Sequence, residues 1–225
     1  PSDVLPSEIT PESIYRDRRR FLKTSALAAA GTILAPEFVT AKPMEALESL
    51  DGLADSPFST DETLTGYEEI TTYNNFYEFG TGKEDPASLA PGRLEHSPWT
   101  ITVSGEAENT GEFAIDDFLS GLTLEERIYR LRCVEAWSMV IPWAGVSLAS
   151  VIQRAAPTSK AKYVRFDTLY DPKVMPAQAS RGFSFLASID WPYREVLRID
   201  EAVHPLSFLA TGLYGKEMPS QNGAP

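Results

Sequence analysis

The stretch "RLRCVEAWSM" (130–139) holds Cys133, the only cysteine of the 225-residue chain. A single cysteine closes no internal disulfide, so it either packs as a small apolar side chain or works as a thiolate. A thiolate is a nucleophile and a soft metal ligand, and its charge needs a nearby cation or metal. Arg130 and Arg132 precede Cys133 and Glu135 follows it. Those arginines are equally suited to the anionic tail of a cofactor. The two histidines, His96 and His204, stand near prolines in unrelated segments and read as structural. With no Cys-x-x-Cys and no His-x-x-x-His, the common structural-zinc spacings are missing, which argues against such a site. No Gly-x-Ser-x-Gly elbow, phosphate-cradling Gly-Lys-Ser loop or Cys-x-x-Cys-His haem attachment occurs. Nothing in the spacing brings a histidine to Cys133. The residues alone leave two readings in balance: an inert, buried thiol and a soft ligand to a metal.

Several elements must position that thiol. "PWTITVSGE" (98–106) alternates Trp99, Ile101 and Val103 with threonines and serine, the period of a half-buried strand. "AIDDFLSGL" (114–122) predicts a short helix stopped at Gly121. "ERIYRLRCVEAW" predicts a strand with Tyr129, Leu131 and Cys133 on one face. "SLASVIQRAAP" (147–157) spaces Leu148, Val151, Ile152 and Ala155 as a helix closed by Pro157. A further strand is expected in "AKYVRFDTLYDP" (161–172), then a short helix broken at Pro205 and an apolar run into a Gly-rich turn. Trp137 and Trp143 read as core or rim.

The charge is unevenly placed. The acidic and basic groups of residues 1–41 balance, so the whole net charge of −12 lies in residues 42–225. A body so acidic repels phosphate backbones, which argues against nucleic acid. Within 17–41, "DRRRFLKTSALAAAGTILAPEFVTA" sets arginines before a short apolar run and small residues at a possible cleavage point. The run is too short for a bilayer, which takes roughly 20 residues. Its order is that of an export signal of twin-arginine form. Residues 42–70 are polar, acidic and poor in aromatics, and are expected to be a flexible leader.

"YNNFYEFG" (73–80), "LEERIYRLRCVEAWSMVIPW" (124–143), "HPL" (204–206), "TGLYGK" (211–216) and "PSQNGAP" (219–225) follow one another in this order. Together they resemble the catalytic subunits of the periplasmic, molybdopterin-dependent protein-methionine-sulfoxide reductases, within the sulfite oxidase structural family. The resemblance covers roughly residues 71–225 and is specific because the motifs occur jointly and in register. It implies an α+β fold: a sulfite-oxidase-type molybdopterin-binding domain, truncated at its C-terminal end. The organisation it implies is a twin-arginine signal over 1–41, a flexible leader over 42–70 and an incomplete catalytic domain over 71–225. The cofactor implied is molybdenum–molybdopterin, with Cys133 as the protein ligand of the metal. Asn74, Tyr77, Glu78, Thr168 and Asn222 match residues that hold the pterin, while Asn75 and Glu135 match residues close to the metal. The family's next pterin-phosphate contacts, an arginine and a Gly-Ile-Lys run, would fall after Pro225. The implied function is reduction of methionine sulfoxide in oxidised periplasmic proteins. The implied partners are a membrane haem-binding, quinone-linked electron-donor subunit, oxidised envelope proteins and the twin-arginine export machinery. Two alternatives stand beside it: another molybdenum reaction, such as sulfite oxidation or reduction of small S- and N-oxides, and a metal-free exported binding module. Glu135, with no basic residue between it and Arg154, predicts a penalty on an incoming anion. That penalty is about 1 to 4 kcal/mol at 4 Å. It favours a neutral sulfoxide over sulfite, with Glu135 as a proton donor.

Overall fold

The computed structural model describes residues 47–180 and 185–223. The expected export signal and the start of the leader lie outside the described residues. The elements are β1 (Ala54–Asp55), α1 (Tyr67–Thr72), α2 (Asp85–Leu89), β2 (Thr100–Val103), β3 (Gly111–Ala114) and α3 (Ile115–Leu119). They continue as β4 (Glu125–Arg132), β5 (Ser138–Ser147), α4 (Leu148–Ala155), β6 (Tyr163–Asp167), β7 (Arg194–Arg198), α5 (Ile199–Ala202), β8 (Phe208–Leu213) and β9 (Lys216–Glu217). Short 3-10 turns occupy Pro176–Ala179, Leu186–Ser188 and Ser220–Asn222.

A five-stranded sheet in the order β1-β4-β5-β8-β9 organises this part of the chain, beside two-stranded ribbons β2-β3 and β6-β7. Strand β5 is its middle and carries "SMVIPWAGVS", in which Val140, Ile141, Ala144 and Val146 are all buried. A strand covered on both faces reads as a nearly continuous apolar run. One side of the core joins Ile70, Ile141, Leu213 and Met218, and another joins Leu148, Ile152 and Ala202. Helix α4 supplies the latter through Leu148 and Ile152, four residues apart and so on one helical face. A third cluster, Phe79, Ala90, Leu94 and Met175, lies under the "NNFYEFG" loop. In β2 the half-buried Ile101 and Val103 alternate with exposed threonines, as their spacing predicts.

The leader expectation does not hold over the described residues 47–70. β1 pairs in parallel with the start of β4, Ala54 opposite Glu125. Leu50 N–H donates to Gly215 O at 2.9 Å, and Thr65 N–H to Val140 O at 3.0 Å. Phe58 lies 5.2 Å from the guanidinium of Arg127, which is only 2% exposed and also stacks on Phe208 at 4.5 Å. Arg127 is ion-paired to Glu125 at 2.6 Å. The composition of this segment is that of a solvated chain, but its backbone groups and few apolar side chains are spent on a sheet edge. Backbone pairing of that kind is invisible to composition.

Candidate cofactor and metal site

β4 and β5 form a long antiparallel hairpin whose last pair is Arg132 with Ser138. Cys133 therefore stands just past β4, at the start of the connecting turn, and not on the strand face with Tyr129 and Leu131. The turn closes around it. Cys133 N–H donates to Trp137 O at 3.1 Å, Ala136 N–H to Cys133 O at 3.0 Å, and Trp137 N–H to Cys133 Sγ at 3.3 Å. Ala136 takes a left-handed φ of 67° to complete the turn. The apex, Val134, is fully exposed, whereas Cys133 is partly covered. The hairpin thus holds a sulfur at a rigid tip.

That tip opens on a cleft of about 1630 Å³ whose lining includes Asn74, Asn75, Glu78, Cys133, Thr168 and Asn222. Residues far apart in the chain meet on one wall because helix α1 ends there. The Ile70 carbonyl at its C-terminal end accepts the Asn74 and Asn222 amides, both at 3.0 Å, and Thr71 O accepts the Gln221 amide at 3.1 Å. Only an amide nitrogen can donate to a carbonyl, so these contacts fix which way each side chain faces. They leave Asn74 Oδ1, Gln221 Oε1 and Asn222 Oδ1 buried without a partner among the described residues. Each such orphan costs about 1–3 kcal/mol. A cluster of bare acceptors on a cavity wall calls for a ligand edge rich in N–H donors. Gln221 was not foreseen from the sequence. The legible signal was an amide in the same turn as Asn222.

Glu78 is 6% exposed, and burial pushes its carboxyl above the ordinary carboxylate value, opposed by its own backbone N–H and by the Thr168 hydroxyl. That hydroxyl donates to Glu78 Oε1 at 3.4 Å, with Thr168 placed directly after β6. Tyr77 and Glu135 stand beside the cleft and join it through Asn75. Asn75 Nδ2 and the Tyr77 hydroxyl both donate to Glu135 Oε1, at 2.9 and 2.7 Å. Burial likewise raises the Tyr77 phenol, and its bond to Glu135 adds to the effect.

The surroundings of Glu135 bear on two expectations. Its partial burial opposes ionisation, but hydrogen bonds from Tyr77, Asn75 and Lys83 outweigh that and hold the carboxyl below its ordinary value. Hydrogen bonds that favour the charged form weigh against the proton-donor role expected of it. Its charge is also not bare, because Lys83 approaches Oε2 at 3.3 Å. The ammonium comes from a loop 52 positions away, so the penalty expected against anions loses its basis. Arg130 is taken too: it pairs with Glu62 and donates to Ser138 Oγ at 3.0 Å, leaving it no cofactor tail to hold. His204 accepts the Leu206 N–H at 3.2 Å within a turn, a structural use.

Among the described residues no group of three or more His, Cys, Asp and Glu side chains converges to bind a metal. A metal at Cys133 would thus take its other ligands from a cofactor, and a soft thiolate suits one held by further sulfurs. A lone cysteine sulfur, donor-hungry amides and a roomy cleft suit a protein that would hold a metal through an organic, N–H-bearing cofactor.

The comparisons with known proteins agree. The model of the oxidoreductase molybdopterin-binding domain matches residues 88–225, more than half of the chain, and the chain belongs to that family. The domain is α+β and of sulfite-oxidase type. A protein of Xanthomonas axonopodis pv. citri named protein-methionine-sulfoxide reductase catalytic subunit MsrP is 56% identical over 219 residues, which is 97% of this chain and 66% of that protein. A protein of the same name from Pseudomonas syringae pv. tomato is 49% identical, over 97% of this chain and 67% of its own length. The chain spans 66% of the length of the Xanthomonas relatives. The family's cofactor is molybdenum–molybdopterin, and the residues here fit it. A pterin offers ring and amino N–H groups of the kind the orphaned oxygens of Asn74, Gln221 and Asn222 lack, and Cys133 offers the thiolate.

Proposed function

We propose that this chain is the catalytic part of an enzyme that reduces methionine sulfoxide in proteins to methionine. The observation that carries this is the Cys133 sulfur, held at a tied hairpin tip over a cleft walled by unpartnered acceptor oxygens. The names of the similar proteins support the same reading. Cys133 binds the metal. Asn74, Gln221 and Asn222 accept hydrogen bonds from the pterin, with Tyr77, Glu78 and Thr168 around it. Asn75 and Glu135 stand where substrate enters. The bound cofactor supplies a two-electron centre at which the sulfoxide oxygen leaves as water, consuming two electrons and two protons. The electrons come from a haem-bearing, quinone-linked membrane partner. Aromatic faces in the cleft lining support an apolar substrate: Tyr73 and Trp137 lie 5.1 Å apart. Such faces favour alkyl and thioether groups.

Sulfite oxidation is the second reading, because Lys83 neutralises Glu135 and removes the barrier to an anion. The test is a paired assay of the full-length, molybdenum-loaded protein, with methionine sulfoxide plus a reduced dye and with sulfite plus an electron acceptor. Sulfoxide turnover is expected to dominate. Sulfite turnover equal to or above it rejects the reading, and protein purified without molybdenum supports the metal-free module instead.

We also propose export to the periplasm through residues 1–41, with Arg18 and Arg19 as the paired address. The export pathway reads guanidinium groups and not charge alone. The double replacement Arg18→Lys, Arg19→Lys is expected to trap precursor in the cytoplasm. Normal accumulation outside it would overturn the proposal.

A further inference from the structure

Lys83 is the hub of the polar cluster beside the cleft, though neither composition nor motif singles it out. Its loop is pinned on both sides: Asn74 N–H donates to Lys83 O at 2.8 Å, and Gly82 N–H to Asp85 Oδ2 at 2.7 Å. An ammonium has three N–H bonds and accepts none. Its three acceptors are all present: Asn75 Oδ1 at 2.5 Å, Glu135 Oε2 at 3.3 Å and the Tyr77 hydroxyl at 3.4 Å. The ring centres of Tyr77 and Trp137 lie 4.9 and 5.3 Å from Nζ, a cation-π arrangement that leaves the side chain 21% exposed.

The consequence falls on Asn75, whose amide is held at both ends, the oxygen by Lys83 and the nitrogen by Glu135. A flip of the amide would set its NH2 against the ammonium and its oxygen against the carboxylate, so one orientation is enforced. The second N–H of Asn75 has no partner among the described residues, and Asn75 lines the cleft that Cys133 enters. We propose that Lys83 is a positioning residue: it locks the Asn75 amide so that its remaining N–H meets the oxygen of an incoming sulfoxide. This rests on the sulfoxide-reductase reading. A sulfoxide oxygen is a strong acceptor, and a donor already fixed in place loses no orientational freedom on binding.

The test uses the full-length, molybdenum-loaded protein. Lys83→Met is expected to raise KM for methionine sulfoxide roughly tenfold, the effect of losing one well-placed hydrogen bond. Metal content and melting temperature should match wild type, and kcat should change less than KM. In an Asn75→Ala background the same change should add no further loss, because Lys83 acts through Asn75. The electron paramagnetic resonance spectrum of the metal needs no substrate, and it should change in Lys83→Met. Unchanged KM and spectrum at full metal loading would overturn the proposal. So would loss of metal or of thermal stability in Lys83→Met, or a full tenfold loss added on top of Asn75→Ala. Failure of the underlying reading looks different: loaded wild-type protein would then leave methionine sulfoxide untouched, while the spectrum still reports on Lys83.

Discussion

Replacing Cys133 with serine is expected to lower sulfoxide reduction by more than about 100-fold, beyond the usual cost of losing a partner that merely supports a metal ligand. The chain should nonetheless fold. The turn is closed by backbone bonds, Cys133 N–H to Trp137 O and Ala136 N–H to Cys133 O, which serine keeps. A serine hydroxyl can also accept the Trp137 N–H that now reaches Sγ. What is lost is the soft, ionisable sulfur, since a hydroxyl stays protonated near neutral pH and is a harder donor. The amides of Asn74, Gln221 and Asn222 are untouched, so cofactor content should fall far less than activity. The measurement is turnover of methionine sulfoxide together with molybdenum content and melting temperature of the same preparation. A variant with more than about a tenth of wild-type turnover would mean that Cys133 is a packing thiol and that the metal assignment fails.

Gly145→Ala is expected to be the most damaging single methyl group in the sheet. An added Cβ would lie 2.1 Å from Leu209 O, 2.9 Å from the Phe208 ring and 3.0 Å from Ala210 Cα. Two of these are backbone atoms of β8 and cannot swing away. The site coincides with the register shift between Ala144 and Gly145 in the pairing of β5 with β8. Relief would require parting the two strands beside the buried Val146 and Leu213. Overpacking costs about 1–3 kcal/mol, and backbone atoms that cannot swing away put this site at the upper end. For a protein of this size a loss of about 3 kcal/mol corresponds to a melting temperature lower by roughly 6–12 °C. Because β8 and β9 lead into the Ser220–Asn222 turn, the variant should also lose molybdenum, unlike Cys133→Ser. A melting temperature within about 2 °C of wild type would show that the strands yield at little cost.

Local patterns were legible without the structure. The alternation in "TITV" became a half-buried strand, and the helical spacing of "LASVIQRA" became α4 with Leu148 and Ile152 inside. Short-range sterics and the side-chain periods of helix and strand fix such elements within a few residues, so a linear text displays them. The ordered motifs from "YNNFYEFG" to "PSQNGA" pointed to Asn74, Asn75, Glu78, Cys133, Thr168 and Asn222, which line one cleft. They did so through resemblance. Nothing in the spacing of Thr168 or Asn222 alone distinguishes a site residue from a strand or turn residue.

Other features depend on what approaches through space. Cys133 reads as a strand residue, but the hairpin's register ends one residue earlier and turns it into a tip. The polar composition of residues 47–70 suggested a solvated leader, while backbone pairing with β4 and the stacking of Phe58 on Arg127 hold it to the sheet. Glu135 looked like an unopposed charge because its sequence neighbours are apolar. Coulomb forces follow distance and not position in the chain, and the loop that carries Lys83 brings an ammonium to 3.3 Å. Gln221 stands out only because helix α1 places the Thr71 carbonyl against its amide, leaving its oxygen buried without a partner among the described residues of the cleft lining. The amino-acid sequence by itself determined the local elements, the single thiol and the family. The packing of distant segments decided the charge at the mouth, the direction of each amide and the rigidity of the hairpin tip, because each of these is a contact between groups that the chain keeps far apart.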